Sequence, residues 1–330
     1  MHKACFAAEQ QRSAGAAVQV GPLRGELREF ESMRKHCSWR AGGAVRRFYI
    51  PADLADLQNF VSGRPAEETL YAIGLGSNLL VRDGGVDASV VLTHGVLSAI
   101  GLAAPHPSGR IDAALLDIDA GVAAPKVARF AARHGLEGAE FLAGIPGTLG
   151  GALAMNAGCY GAETWQHVVD VTTLDRTGVL RTRPPGDFDI AYRHVQLRGA
   201  EDGVPAPMPE WFVSARLRFT PGDGARASLR IRELLGRRIA TQPLQQPNAG
   251  SVFRNPPGDH AARLIEACGL KGFTIGQAQV SPRHANFIVN LGGALAGDIE
   301  AVIRHVGSTV LATQGIALEP EVRIIGQGLP

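Results

Sequence analysis

The sequence predicts a globular protein of mixed helices and strands in two or three domains, and three observations carry that expectation. The chain has 330 residues, 45% hydrophobic and 19% charged, enough for more than one core. Strand-like runs alternate with amphipathic helical stretches along its length, without internal repeats or low-complexity blocks. The 41 glycines follow no collagen period, so they mark places where backbone turns tightly or lies close to a ligand.

Composition excludes several function classes. A formal charge of +2 argues against nucleic-acid binding and against a polybasic membrane anchor, while leaving small anionic ligands open. No apolar segment reaches membrane-spanning length, and Cys5, Cys37, Cys159 and Cys268 show neither Cys-x-x-Cys nor zinc-like spacing. Reduced thiols, a cytoplasmic location and no metal are therefore expected. Residues 1–25 lack the apolar core of a signal peptide and read as a poorly ordered tail.

Order is expected from Arg34 to Gly43, whose Gly-Gly pair precedes a strand over Val45–Ile50. Pro51-Ala52-Asp53 opens a helix through Leu54, Leu57 and Phe60, and a strand near Leu70–Ile73 feeds Gly74-Leu75-Gly76-Ser77-Asn78-Leu79. The third glycine of a Rossmann turn is missing and Asn78 to Val81 reads as strand, so that fold is rejected. Exposed amide N–H groups there, with Ser77 and Asn78, would suit a pyrophosphate. A plain tight turn is the alternative.

Further strands are expected at Ser89–Leu92 and Leu115–Ile118, then a helix carrying Val127, Phe130 and Ala131 that ends at His134-Gly135. Phe141 to Gly161 is the densest glycine tract, with Gly144, Pro146, Gly147, Thr148, Gly150 and Gly151 among Ile, Leu, Ala and Met. Such neighbours predict a close-packed loop beside a flat or extended ligand rather than a linker. A hairpin follows over Val168–Leu174 and Val179–Arg183, then Tyr192-Arg193 and a long strand Phe212–Phe219. An arginine there is ordinarily a solvated charge, although its fork also suits a carboxylate.

Pro221-Gly222-Asp223-Gly224 reads as a domain boundary before a basic helix, about 225–240. Beyond it, Pro247-Asn248-Ala249-Gly250-Ser251-Val252-Phe253-Arg254-Asn255-Pro256 fixes its backbone with two prolines and places one serine after a glycine, where the hydroxyl can act as a proton donor or simply serve a turn. A helix over His260–Cys268, a glycine-rich segment to Val280, a strand over His284–Asn290, a helix over Ala296–Thr313 and a strand over Leu318–Gly326 complete the chain. His284 has no ligand-spaced companion and reads as structural.

Taken together, Ser38-Trp39-Arg40-Ala41-Gly42-Gly43, Gly74 to Val81, Gly144 to Gly151, Met155-Asn156-Ala157-Gly158, Tyr192-Arg193, Ala249 to Pro256 and Leu318 to Arg323 resemble, in that order, the UDP-N-acetylenolpyruvoylglucosamine reductases, or UDP-N-acetylmuramate dehydrogenases, of peptidoglycan precursor synthesis. The resemblance runs from about His36 to Gly326. It implies an α+β flavoprotein of the vanillyl-alcohol-oxidase type: FAD subdomains at 26–94 (joined by 316–330) and 95–220, and a substrate domain at 221–315. It implies bound FAD, NADPH as co-substrate, a UDP-sugar substrate and no obligatory protein partner. Arg193, Ser251 and Glu321 would be catalytic, Tyr192 and Asn255 would bind substrate, and Gly74, Gly76, Ser77, Asn78, Leu79, Gly144, Pro146, Gly147, Thr148, Gly150 and Gly151 would hold the flavin. The short span from Met155 to Thr164 resembles the subclass without a tyrosine loop.

The chain departs from the family pattern at Cys37 (usually threonine), Cys159 (often alanine), Val195 (often serine) and Gln242 (near a lysine of some relatives). Two other readings stay open at this level. A flavin oxidase or dehydrogenase of another substrate would differ in what reoxidises the reduced enzyme, and a flavin-free sugar-nucleotide binder would lack flavin colour.

Overall fold

The computed structural model describes residues 21–103, 114–199 and 210–329; Cys5 and most of the expected tail lie outside them. The tail's end departs from expectation. Arg24 Nη2 pairs with Asp53 Oδ1 at 2.6 Å and Gly25 N donates to the Tyr49 hydroxyl, so these residues are seated on the first body.

Order also begins before Arg34, with a strand Glu26–Ser32 antiparallel to Ala44–Ile50. Its exposed Leu27 and Phe30 obscure the alternation that would betray a half-buried strand. Phe30, at φ 51, leaves the pairing for one position, and the register resumes unchanged at Glu31 opposite Val45. The sheet continues in parallel through Val86–Leu92 to Leu70–Ile73. Alternation sends Phe48 and Val90 to one core with Met33 and Val81, and Tyr49 and Val91 to the other with Phe60. The helix Leu54–Ser62 is capped by Asp53, which accepts Asp56 N at 2.9 Å, and buries Leu57, Phe60 and Val61 on one face. Each such side chain contributes about 1.5–3 kcal/mol.

The second sheet is antiparallel, ordered Leu180–Arg183, Val168–Asp175, Glu210–Pro221, Ala114–Asp119, Ile100–Leu102. Helix Ala124–Arg133 and the basic helix Gly224–Thr241 pack together beside it. Ala227 and Ile231 of the basic helix belong to this second core, so the apolar stripe of that helix packs on the second sheet's side. The tract read as a loop contains a 3-10 turn, Glu140–Gly144, and a short helix, Leu149–Ala154, capped by Thr148.

A small antiparallel sheet, Thr274–Ile275, Ala278–Val280 and Ile288–Asn290, lies under helix Ala296–Gln314, which buries Ile299, Val302, Ile303, Val306 and Val310. The strand expected over His284–Asn290 is regular only from Ile288. Ser281 Oγ accepts the N–H groups of Arg283 and His284, and His284 O accepts Phe287 N, so a local turn wins there. Likewise only Arg323–Ile325 of the closing segment is strand, pairing in parallel with Leu79–Val81. That pairing returns the chain's end to the first body.

Candidate active site

Three segments distant in sequence converge. The hairpin Phe188–Ala191 and His194–Leu197 turns at Tyr192-Arg193, with Arg193 at φ 55, a left-handed conformation that strains a residue with a Cβ and often marks function. Arg193 Nε donates to Glu321 Oε1 at 2.7 Å, Nη1 to Asn156 O at 3.4 Å and Nη2 to Gly158 O at 3.2 Å. A guanidinium has five N–H donors, so part of this fork stays available to a carboxylate.

Glu321 reaches Arg193 because its segment is stitched to the serine loop. Glu321 N donates to Val252 O at 2.7 Å and Arg254 N to Glu319 O at 2.9 Å, with a bridge between Phe253 and Pro320. These bonds tie Val252, the chain neighbour of Ser251, to the backbone of Glu321. The Ser251 hydroxyl makes no hydrogen bond to another described residue. The Glu321 side chain is only 16% exposed; burial pushes its carboxyl up, against the charge and hydrogen bond of Arg193 and the charge of Arg254.

The glycine tracts meet each other. A Cβ at Gly74 would stand 2.2 Å from Thr148 Oγ1, one at Gly147 would stand 3.1 Å from Ser77 Oγ, and one at Gly76 (φ +58) would stand 1.9 Å from His36 O. In the second tract, however, the protein fills the room: Gly144 packs on Cys159 Sγ and Gly150 on Ala120, and the N–H groups of Leu149 and Gly150 are taken by Val122 O and Ala120 O. Asn78 Nδ2 spends one of its two N–H donors on Glu321 O at 3.1 Å.

A cavity of about 1010 Å³ opens beside these tracts, lined by Cys37, Ser38, Leu75, Ser77, Pro146 and Arg238 among others, and reaches Gly250 beside Ser251. Among the described residues, no acceptor takes the N–H groups of Leu75, Gly76, Ser77 or Asn78, and the buried Ser38 hydroxyl has no partner. Free donors gathered at one cavity fit an extended anionic group such as a dinucleotide diphosphate, and the Ser38 hydroxyl is the buried one among them. Arg238 adds a cation whose Nη1 holds Gly144 O at 2.8 Å; burial pulls its pKa down.

The other expected residues sit as follows. Tyr192 is 43% exposed, its ring centroid 4.9 Å from Arg193 Cζ. Asn255 is exposed, and its Oδ1 accepts Ala261 N at 3.1 Å, at the start of helix Ala261–Ala267. Val195 faces the second core, so the support of Arg193 comes instead from the Asn156 and Gly158 carbonyls. Gln242 Oε1 accepts Arg238 Nε at 2.8 Å, and burial pushes the Cys37 thiol up to about 12. Sequence reasoning missed Asn156, whose buried amide holds Glu163, Ala191 O and Trp165 N. The only signal was an asparagine in an otherwise apolar Met-Asn-Ala-Gly run.

The family described as "FAD binding domain" matches residues 45–183. Together with the cavity and the Arg–Glu–Ser set, this defines a flavoprotein oxidoreductase. The family described as "UDP-N-acetylenolpyruvoylglucosamine reductase, C-terminal domain" matches residues 242–325. The UDP-N-acetylenolpyruvoylglucosamine reductase of Thiobacillus denitrificans is 57% identical over 95% of this chain and 96% of its own length, and that of Nitrosospira multiformis 57% identical over 94% and 91%. The crystal structure of the Thermus caldophilus reductase superposes with a TM-score of 0.71 at 29% identity, covering 91% of this chain and 98% of that one. The chain belongs to the UDP-N-acetylenolpyruvoylglucosamine reductase family.

Proposed function

We propose that Arg193, Glu321 and Ser251 together carry the reaction of this family in this chain, the NADPH-dependent reduction of the enolpyruvyl group of UDP-N-acetylenolpyruvoylglucosamine to UDP-N-acetylmuramate. When bound, FAD carries hydride from NADPH to the terminal methylene carbon of the enolpyruvyl group. Negative charge then gathers on the carbon that bears the carboxylate. Arg193, already fixed by Glu321, Asn156 and Gly158, meets that charge without reorganising; a preorganised donor of this kind contributes about 3–4 kcal/mol to a transition state. Glu321, its carboxyl raised by burial, orients the fork and polarises the same group. Ser251 gives its proton to that carboxylate-bearing carbon as general acid. The hydroxyl of serine is weakly acidic, so it donates only to the strongly basic centre that the preceding step creates.

The observation that carries this reading is the Arg193 Nε to Glu321 Oε1 contact at 2.7 Å, on a segment bonded to the residue after Ser251. Leu75 to Leu79, with Gly74 and the 144–151 tract, would hold the flavin. Tyr192 and Asn255 would meet the UDP-sugar. We divide the chain into a first body at 26–94 with 316–330, a second at 95–241 and a substrate body at 242–315. Among the described residues no helix is long and apolar enough to cross a membrane, in keeping with cytoplasmic work on a soluble nucleotide sugar. Stopped-flow absorbance tests the roles: Ser251→Ala should leave flavin reduction by NADPH intact and slow reoxidation by the enolpyruvyl sugar by a hundredfold or more (about 10²–10⁴ for a general acid). Equal loss in both halves would remove Ser251 from its role.

A further inference from the structure

Arg254 follows Ser251 by three residues, and no part of the reaction above uses it. Its side chain is 23% exposed. Nη1 lies 2.8 Å from Glu319 Oε1, Nη2 donates to Arg193 O at 3.3 Å, and its backbone N–H donates to Glu319 O at 2.9 Å. One guanidinium thus spans the serine loop, the segment that leads to Glu321, and the carbonyl of the catalytic arginine. That carbonyl belongs to the residue at φ 55, where a left-handed arginine needs outside contacts to stay in place. Asn156 O and Gly158 O hold the Arg193 side chain, whereas among the described residues Arg254 alone donates to its backbone carbonyl. Arg254 is also the second cation facing Glu321, after Arg193 of the hairpin.

We propose that Arg254 is a positioning residue for the reduction: anchored on Glu319, it clamps the Arg193 turn against the serine loop so that guanidinium and hydroxyl address one substrate carbon. The proposal rests on the roles given above to Arg193, Glu321 and Ser251. Arg254 touches no reacting atom. It acts through the backbone of Arg193 and, by its charge, on Glu321. Displacing a fixed group by about 1 Å can cost about a hundredfold in rate, so the loss should fall on the step that uses the guanidinium and spare the one that does not.

The test compares Arg254→Met, Arg254→Lys, Glu319→Gln and Glu321→Gln as full-length flavin-loaded protein. In Arg254→Met, reduction by NADPH stays within twofold of the parent, whereas reoxidation by UDP-N-acetylenolpyruvoylglucosamine slows about ten- to a hundredfold. The pH limb of reoxidation that Glu321→Gln abolishes moves to higher pH in Arg254→Met, because a cation that favoured the carboxylate is gone. Arg254→Lys restores the limb and part of the rate, since it keeps the charge and loses the fork. Glu319→Gln, on a residue 64% exposed, removes the anchor's charge at the surface and slows reoxidation in the same direction by a smaller factor.

A merely structural role would lower the melting temperature, slow both half-reactions together and leave the limb in place; that result overturns the clamp. So does reoxidation within twofold of the parent in Arg254→Met while Glu321→Gln is impaired, and in that case the catalytic assignment survives. If Glu321→Gln itself reoxidises normally and keeps the limb, both readings fall.

Discussion

At the scale of single residues, the site combines a strained arginine with a carboxyl that burial makes reluctant to ionise. Replacing Arg193 by lysine keeps the charge but loses the planar fork that meets Glu321, Asn156 and Gly158 at once. Turnover should fall by about a hundredfold, the loss of roughly 3 kcal/mol of transition-state stabilisation; near-normal turnover would remove Arg193 from the mechanism. Glu321 also has a signature in stability. Its folded pKa is raised by burial, so its contribution is fully present below the unfolded carboxyl value of about 4.3 and is lost as pH rises through the folded value. Glu321→Gln lacks that loss. Its melting temperature relative to the parent should therefore climb from about pH 4 toward neutrality, and a flat difference across calorimetric scans would contradict the assigned shift. The three catalytic candidates were legible because short motifs carry them. The contacts of Asn156 and Arg254 were not, although both residues stand in such motifs, because each works largely through backbone atoms far away in sequence and no residue spacing encodes that.

At the scale of elements, two glycines separate the uses that composition alone conflates. Gly76 combines φ +58 with an ideal Cβ 1.9 Å from His36 O, whereas Gly236 lies exposed in the basic helix with nothing within 4 Å. Gly76→Ala should cost more than about 2 kcal/mol, since strain of about 1–3 kcal/mol adds to a backbone clash, and should purify with little flavin. Gly236→Ala should stabilise the chain by up to about 1 kcal/mol through helix propensity; denaturant titrations with absorbance at the flavin bands check both. Helices and hairpins with a clear period were legible, Leu54–Ser62 and the Val168–Arg183 hairpin among them. Glu26–Ser32 escaped because its outward positions are apolar as often as charged. The 284–287 turn escaped because a serine hydroxyl two or three residues away outbids the sheet for its N–H groups.

At the scale of the whole molecule, the bodies share their cores rather than merely touching. Trp39, Ala41 and Leu80, which belong by sequence to the first body, are buried in the cluster of the substrate body. Trp39 Nε1 donates to Ile288 O at 2.7 Å and Asn290 Nδ2 donates to Trp39 O at 2.9 Å; Asp83 caps the last helix through Ala296 N and Gly297 N. The proposed site would draw its arginine from the second body, its serine from the substrate body and its glutamate from the segment leading to the strand that returns to the first. Because those cores are shared, separating any two would break the site and a core together. Loss of flavin and loss of helix should accordingly follow one transition, displaced together by ligand. Trp39→Phe tests this at the seam: it leaves Ile288 O buried without its donor, at about 1–3 kcal/mol, and should lower the flavin-release and far-ultraviolet dichroism midpoints by the same amount. If flavin release moved and the dichroism did not, the substrate body would be an independent unit and the shared core would not couple the site to the fold.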